Sequence, residues 1–136
     1  MLARILRLRK TGQEDQSAAE RAGELFASGL NCAQAVLQST TGIDDLRMME
    51  MAEAFGGGVG GSKCLCGAIS GGVISLGWSG KGSKAGELVS EFKKRHRVTC
   101  CVALTRSYKW KSLEHLSNCR KITEETAEIV ERLLKQ

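Results

Sequence analysis

A glycine-rich segment near the middle of the chain limits most strongly how this sequence can fold. Five of the six residues from Gly56 to Gly61 are glycine, and the 136-residue chain contains no proline. Glycine loses more conformational freedom on folding than any other residue, so this segment is disfavoured inside a helix. Proline breaks helix interiors, and its absence leaves helices uninterrupted elsewhere. We therefore predict helices on both sides of a glycine-rich loop.

Capping residues predict the helices that precede this loop. Ser17 with Glu20 and Asn31 with Gln34 each match the capping box that marks a helix N-terminus. A third helix is predicted to open near Asp45, and apolar residues recur at helical spacing in all three.

The chain after the loop is predicted to continue as helices. Residues 66–77 are small and apolar, which suits a buried helix, although periodicity alone would also allow a buried strand. In such a helix, Gly71 and Gly72 would let a neighbouring backbone come close. Residues 85–97 are amphipathic, and Thr123 is predicted to cap the last helix.

These patterns predict an all-α fold. A chain of 136 residues suits one domain. We expect a compact single domain of five or six helices over residues 16–136, with a glycine-rich inter-helix loop. Residues 1–15 are predicted to be a basic N-terminal tail, with disorder as one interpretation.

The cysteine content bears on the cellular compartment. Six cysteines are many for this length, but no apolar run of signal-peptide type follows the basic N-terminus. The longest mostly apolar stretch, residues 68–78, is too short to span a bilayer. We therefore expect a reducing cytoplasm, where unpaired cysteines point to metal binding or catalysis. The net charge of +5 comes without a nucleic-acid-binding motif, so no nucleic acid partner is expected.

Two cysteines stand where helices are predicted to begin. Cys32 follows the cap residue Asn31, and Cys66 follows the glycine-rich loop. Unpaired N–H groups and the positive end of the helix dipole lower a thiol pKa and favour the reactive thiolate. The alternative is that these cysteines simply pack as small apolar residues.

The glycine-rich loop suggests a backbone nest. Successive N–H groups there are predicted to hold an anion or a thiolate, and the binding residues predicted are Gly57, Gly58, Gly60 and Gly67. An equal alternative is that the glycines bind nothing and only permit a tight crossover between two helices. The Gly-x-Gly-x-x-Gly spacing from Gly56 to Gly61 lacks the βαβ unit of a dinucleotide site.

Cysteine and histidine spacings bear on metal binding. No Cys-x-x-Cys pair occurs, so a thioredoxin-like or zinc-ribbon site lacks its signature. His96 precedes Cys100 by four residues, and His115 precedes Cys119 by four. On a helix, that spacing would put both side chains of a pair on one face, within reach of one metal ion.

Three segments carry a resemblance to a known family. Asn31 to Val36, Ala54 to Gly60 and Cys66 to Gly71 together resemble the redox-active family named after its C_GCAxxG_C_C cysteine pattern. The resemblance extends from about Phe26 to about Val130. It implies four characteristic cysteines, and the matching positions are Cys32, Cys66, Cys101 and Cys119.

The rest of the pattern leaves one position open. Cys64 and Cys100 would be extra cysteines, although Cys100 rivals Cys101 for the third position. Arg106 stands where the family often has glycine. The resemblance implies an all-helical bacterial or archaeal protein, similar to sequences near transport genes or joined to redox proteins. The partner expected is thus a redox protein or a transport-associated protein, and a homo-oligomer is left open.

Two main functional hypotheses follow. In the first, the four cysteines perform thiol/disulfide chemistry: Cys66 attacks, Cys32 resolves, and Cys101 and Cys119 form a second pair or tune the first. In the second, the same four cysteines hold zinc or an iron–sulfur cluster. A third hypothesis is a structural domain whose cysteines only pack. The cofactor predicted is accordingly none, zinc or an iron–sulfur cluster, and the sequence identifies no substrate.

Overall fold

The computed structural model describes residues 16–136, and the predicted tail over residues 1–15 lies outside them. The described residues form helices and turns, with no strand among them. In chain order the α-helices are α1 Ala18–Ala27, α2 Cys32–Thr41, α3 Leu46–Glu53, α4 Gly67–Trp78, α5 Ala85–His96, α6 Cys101–Leu104 and α7 Leu113–Leu134, and short 3-10 helices lie at Val59–Gly61 and Gly82–Lys84. Six of these have eight residues or more, and α6 is a single turn. The all-α prediction is confirmed.

Local capping explains where the first helices begin. Ser17 accepts a hydrogen bond from the backbone N–H of Glu20 at 3.1 Å. At α2 both halves of the capping box form, because Asn31 accepts from the Gln34 N–H at 2.9 Å and the Gln34 side chain accepts from the Asn31 N–H at 3.0 Å. This cap fixes Cys32 as the first residue of α2.

The last helix begins earlier than Thr123, so the predicted cap at that residue is wrong. Ser112 caps α7 instead, and its side chain accepts from the backbone N–H of His115 at 3.2 Å. Thr123 is fully buried inside the helix, where its hydroxyl donates to the Cys119 carbonyl at 2.7 Å. This local bond lets threonine occupy a helix interior. One continuous helix therefore carries both His115 and Cys119.

Removing the Ser112 cap is expected to destabilise the protein. Ser112→Ala deletes the acceptor for an otherwise unpaired N–H at the helix start, which costs about 1 kcal/mol of unfolding free energy. Urea denaturation measures this change. Ser117→Ala, at an exposed position of the same helix, is the matched control and is expected to change the value by less than about 0.5 kcal/mol. Equal effects from both substitutions would contradict the cap assignment.

Helix α4 lies at the centre of the fold and packs against α2, α5 and α7. A Cβ atom on Gly71 would lie 2.9 Å from Cα of Ala33, and one on Gly72 would lie 2.7 Å from a methyl carbon of Leu88. The expected close approach of a neighbouring backbone is therefore present at Gly71. The core around α4 includes Val36, Ile69, Leu76, Leu88, Phe92, Ile122, Ile129, Val130 and Leu133.

Candidate thiol site

Two short segments from distant parts of the chain lie side by side next to α4. Residues 63–66 end the connection from α3, and residues 99–102 lead into α6. The Cys66 N–H donates to the Thr99 carbonyl at 2.7 Å, and the Val102 N–H donates to the Lys63 carbonyl at 3.0 Å. We call residues 63–66 and 99–102 the paired segments.

The paired segments are also joined covalently. Cys64 and Cys100 form a disulfide, with their Cα atoms 4.2 Å apart. The family pattern leaves Cys64 as an extra cysteine, and no spacing in the sequence pairs it with Cys100. Only their contact in three dimensions identifies the bond, since 36 residues separate them in sequence. We call this bond the surface disulfide, because Cys64 is exposed.

The other four cysteines are free thiols that converge on one pocket. Cys32 is the first residue of α2, Cys66 is the N-cap of α4, and Cys101 is the first residue of α6. Cys119 lies on α7. The pocket that they line has a volume of about 680 Å³. We call it the thiol pocket.

Cys66 and Cys101 form a hydrogen-bonded thiol pair. The hydrogen bond with the Cys101 side chain, together with burial, holds the pKa of Cys66 well above its usual value. The pKa of Cys101 is lowered to about 7, chiefly by the same bond and also by the backbone N–H groups of Gly67 and Cys101, while burial opposes the shift. These shifts favour the thiol form of Cys66, as hydrogen-bond donor, and the thiolate form of Cys101.

The other two thiols are protonated at neutral pH. Burial, with a smaller contribution from the nearby Cys101, raises the pKa of Cys32. Burial also raises the pKa of Cys119 to about 12, and the charges of Cys32 and Cys101 add to the shift. These mutual effects require the four sulfurs to be neighbours.

The four predicted nest glycines have different surroundings. The backbone N–H of Gly57 faces Cys32 and lowers its pKa, and Gly67 does the same for Cys101. The Gly60 N–H is instead bound to the Ala54 carbonyl at 2.9 Å. Gly58 has a φ of 83° and packs directly against the backbone of Lys63 and Cys64. Gly57 and Gly67 are thus the two whose N–H groups meet thiols.

His115 contacts Cys119 as their four-residue spacing predicted. Its Nε2 lies 3.4 Å from the Cys119 sulfur, and its Nδ1 accepts a hydrogen bond from the Lys111 N–H at 2.8 Å. A ring nitrogen that accepts carries no proton, so the neutral ring carries its proton on Nε2, facing Cys119. Burial, with the charge of Lys63 as a smaller cause, lowers the pKa of His115 and keeps it neutral.

The second histidine pair does not meet. His96 ends α5 beside Glu125, with its Nε2 2.9 Å from a carboxylate oxygen, whereas Cys100 belongs to the surface disulfide. Within residues 16–136, no group of three or more His, Cys, Asp or Glu side chains has an arrangement that could hold a metal ion.

Aromatic and cationic side chains that the sequence did not identify complete the pocket wall. The Trp110 ring stacks on His115 with centroids 4.3 Å apart, and the Lys63 ammonium lies 4.5 Å from the centroid of the Trp110 ring. Apolar walls are supplied by Phe26, Leu30, Leu104, Leu116 and Ile122, and cations by Lys111 and Arg120. The chain has two tryptophans. The rarity of this residue type was the one sequence signal that could have drawn attention to Trp110 as part of a site.

Among the helices of residues 16–136, none has both the length and the apolar character needed to cross a membrane.

No curated protein and no solved structure shows a significant match to the chain. Residues 30–133 match the family model described as "Putative redox-active protein (C_GCAxxG_C_C)". This match covers the thiol pair, Cys32 and Cys119, and most of the chain, so the protein belongs to the C_GCAxxG_C_C family.

Proposed function

We propose that the protein is a thiol–disulfide exchange protein whose reacting thiols are Cys101 and Cys66. The observation that carries this proposal is the placement of Cys66 and Cys101 at two helix starts in one pocket, where hydrogen bonding between their thiols lowers the pKa of Cys101 to about 7. A thiolate is the attacking form, and the best attacking thiol has a pKa near the ambient pH. We therefore place the attacking thiolate on Cys101, whereas the sequence favoured Cys66.

The reaction would proceed by two exchange steps. The Cys101 thiolate attacks one sulfur of a substrate disulfide, forms a mixed disulfide and releases the first substrate thiolate. Cys66 passes its proton to that thiolate and attacks the Cys101 sulfur, which forms the Cys66–Cys101 disulfide and releases the second substrate thiolate. Two protein thiols are oxidised to one disulfide, and one substrate disulfide is reduced to two thiols.

The pocket suits a small disulfide with apolar groups. Its volume of about 680 Å³ falls in the range of small-molecule sites, which are roughly 300–1,000 Å³. Trp110 offers an aromatic face, and Lys111 would favour a substrate that carries negative charge, whereas Arg120 is already paired with Glu124 at 3.0 Å. The cytoplasmic location and the identity of the substrate stay predictions.

The metal-binding alternative has less support among the described residues. No group of three or more His, Cys, Asp or Glu side chains within residues 16–136 is arranged to hold a metal ion. No observation favours zinc or an iron–sulfur cluster over thiol exchange here.

The pH dependence of Cys101 alkylation tests the proposed thiolate. Because the pKa of Cys101 is lowered to about 7, its reaction with iodoacetamide should be half-maximal near that pH, lose rate below it and reach a plateau above it. Cys66→Ala removes the hydrogen-bond donor while burial remains, so the midpoint should move to higher pH. Peptide mapping by mass spectrometry follows Cys101 separately from the other cysteines.

Cys119→Ala is the control for this measurement. Cys119 is not among the groups that shift the pKa of Cys101, so its replacement should leave the alkylation midpoint unchanged. A midpoint that stays the same in Cys66→Ala would mean that the thiol pair does not activate Cys101, and the proposal would fail.

A further inference from the structure

We propose that the surface disulfide, Cys64–Cys100, is a second redox centre that passes electrons from an external dithiol protein to the Cys66–Cys101 pair. The inference rests on the proposed function, since it requires Cys66 and Cys101 to cycle between thiols and disulfide. The four-cysteine family pattern leaves Cys64 over, together with whichever of Cys100 and Cys101 does not take its third position.

The first observation is the placement of the two pairs. The paired segments hold four cysteines within two stretches of four residues each, and two backbone hydrogen bonds clamp these stretches together at both ends. Cys64 is two residues from Cys66, and Cys100 adjoins Cys101. A chain of four residues extends at most about 14 Å, so both pairs lie within one short block.

The second observation is a difference in access. Cys66 is 5 % exposed and Cys101 is 7 % exposed, so neither offers its sulfur readily to a folded protein. Cys64 is exposed. A protein dithiol can therefore approach the surface disulfide more easily than the thiol pair, whereas a small substrate can enter the thiol pocket.

The third observation is the surface around Cys64. Val59 and Val102 are 52 % and 53 % exposed. The Val59 N–H donates to the Cys64 carbonyl at 3.0 Å, and the Val102 N–H donates to Lys63 beside it. Exposed apolar side chains next to a reactive sulfur are suited to contact a partner protein.

The first half of the relay reduces the surface disulfide. A thiolate of the partner attacks the Cys64 sulfur, forms a mixed disulfide and releases the Cys100 thiolate. The second thiol of the partner then attacks the partner's own sulfur in the mixed disulfide and releases Cys64. The partner leaves as a disulfide, and its second thiol has passed its proton to Cys100, so Cys100 becomes a thiol and Cys64 a thiolate.

The second half passes the two electrons inward. The Cys64 thiolate attacks the Cys66 sulfur of the oxidised pair, which forms a Cys64–Cys66 bond and releases Cys101 as a thiolate. Cys100 then attacks the Cys64 sulfur, restores the surface disulfide and releases Cys66, which takes the proton that Cys100 loses. A leaving thiol of low pKa leaves faster, which favours release of Cys101 first.

A trapping experiment tests the relay on the unaltered protein. Thioredoxin whose resolving cysteine is replaced by serine is the probe, because it forms a mixed disulfide that persists. The protein is first oxidised with dithiodipyridine, a small aromatic disulfide, and the trapped linkage is located by peptide mapping. The relay requires the linkage on Cys64. A linkage on Cys101 or Cys66, or no linkage, would overturn it.

A kinetic comparison separates the relay from the proposed function. With Cys64→Ser/Cys100→Ser, re-reduction of the Cys66–Cys101 disulfide by intact reduced thioredoxin should slow by about tenfold or more, because the accessible sulfur is gone. Re-reduction by dithiothreitol, which can enter the pocket, should stay within about threefold. Equal thioredoxin rates in both proteins would leave the surface disulfide without a role in transfer and refute the relay.

The oxidation step shows which proposal has failed. If dithiodipyridine forms no Cys66–Cys101 disulfide in either protein, the proposed function itself is wrong. If it forms in both but thioredoxin reduces both equally, only the relay is wrong. Circular dichroism and thermal unfolding establish that the double variant is folded, and the trapping experiment decides the relay if it is not.

Discussion

Cys101→Ser is expected to abolish reduction of a small disulfide by this protein. Serine keeps the approximate size of the side chain but supplies no thiolate, and the other pocket thiols have raised pKa values. In a single-turnover reaction with dithiodipyridine, release of the absorbing thione should fall to the rate of the buffer alone. Counting alkylatable thiols by mass should show no loss of thiols in this variant.

The variants Cys66→Ser and Cys32→Ser distinguish the proposed reacting pair, Cys101 and Cys66, from the pair expected from the sequence, Cys66 and Cys32. Without Cys66, the mixed disulfide on Cys101 should accumulate because the proposed resolving thiol is gone and the pKa values of Cys32 and Cys119 are raised. Without Cys32, the Cys66–Cys101 disulfide should still form. If Cys32→Ser blocks disulfide formation and Cys101→Ser does not, then Cys32 and Cys66 are the reacting pair.

Gly71→Ala is expected to produce the largest loss of stability among helix substitutions considered. The added Cβ would lie 2.9 Å from Cα and 3.0 Å from the carbonyl carbon of Ala33. Backbone cannot move aside as a flexible side chain can, so α2 and α4 must separate. Overpacking of this kind costs about 1–3 kcal/mol of unfolding free energy, and the gain in helix propensity of about 1 kcal/mol offsets only part of a cost in the upper range, for a net loss of up to about 2 kcal/mol. Urea denaturation measures the net effect.

Gly77→Ala is the matched control in the same helix. No atom lies within 4 Å of a Cβ at this position, and its φ is not positive. At this position the substitution changes only the helix propensity, which is higher for alanine than for glycine. The free energy of unfolding should therefore rise by up to about 1 kcal/mol. A stabilising effect at Gly71 as well would show that α2 and α4 are not in the close contact described.

The separation of α2 from α4 would also reach the thiol pocket. Cys32 begins α2 next to Ala33, and a Cβ on Gly67 at the start of α4 would lie only 2.5 Å from the Cys32 sulfur. Gly71→Ala should therefore alter Cys32 alkylation together with stability, whereas Gly77→Ala should leave it unchanged. The fit between two helix starts depends on glycines in α4.

Much of the fold could be predicted because its signals are local. The Asn31 capping box and the helical spacing of apolar residues act within one or two turns, so the starts of α1, α2 and α3 were recognisable. Thr123 misled the prediction for α7 because a threonine cap and a threonine bonded to the preceding turn have the same local sequence. Burial by the rest of the fold decides between them.

The candidate site was predictable in its membership but not in its pairing. The family pattern selects Cys32, Cys66, Cys101 and Cys119, and the structure brings them to one pocket. Which thiol is ionised depends on which one donates the hydrogen bond and which one accepts it. The Cys66–Cys101 hydrogen bond joins residues that are 35 positions apart in the sequence. No spacing in the sequence identifies such a contact.

The sequence by itself determined the all-helical character of residues 16–136 and the starts of α1, α2 and α3. These features follow from capping, periodicity and composition, which are properties of neighbouring residues. The tertiary structure alone decided that Cys64 meets Cys100, that Trp110 and His115 form a wall, and that the lowest thiol pKa belongs to Cys101. Hydrogen bonding and burial set these properties, and both depend on segments that only the folded chain brings together.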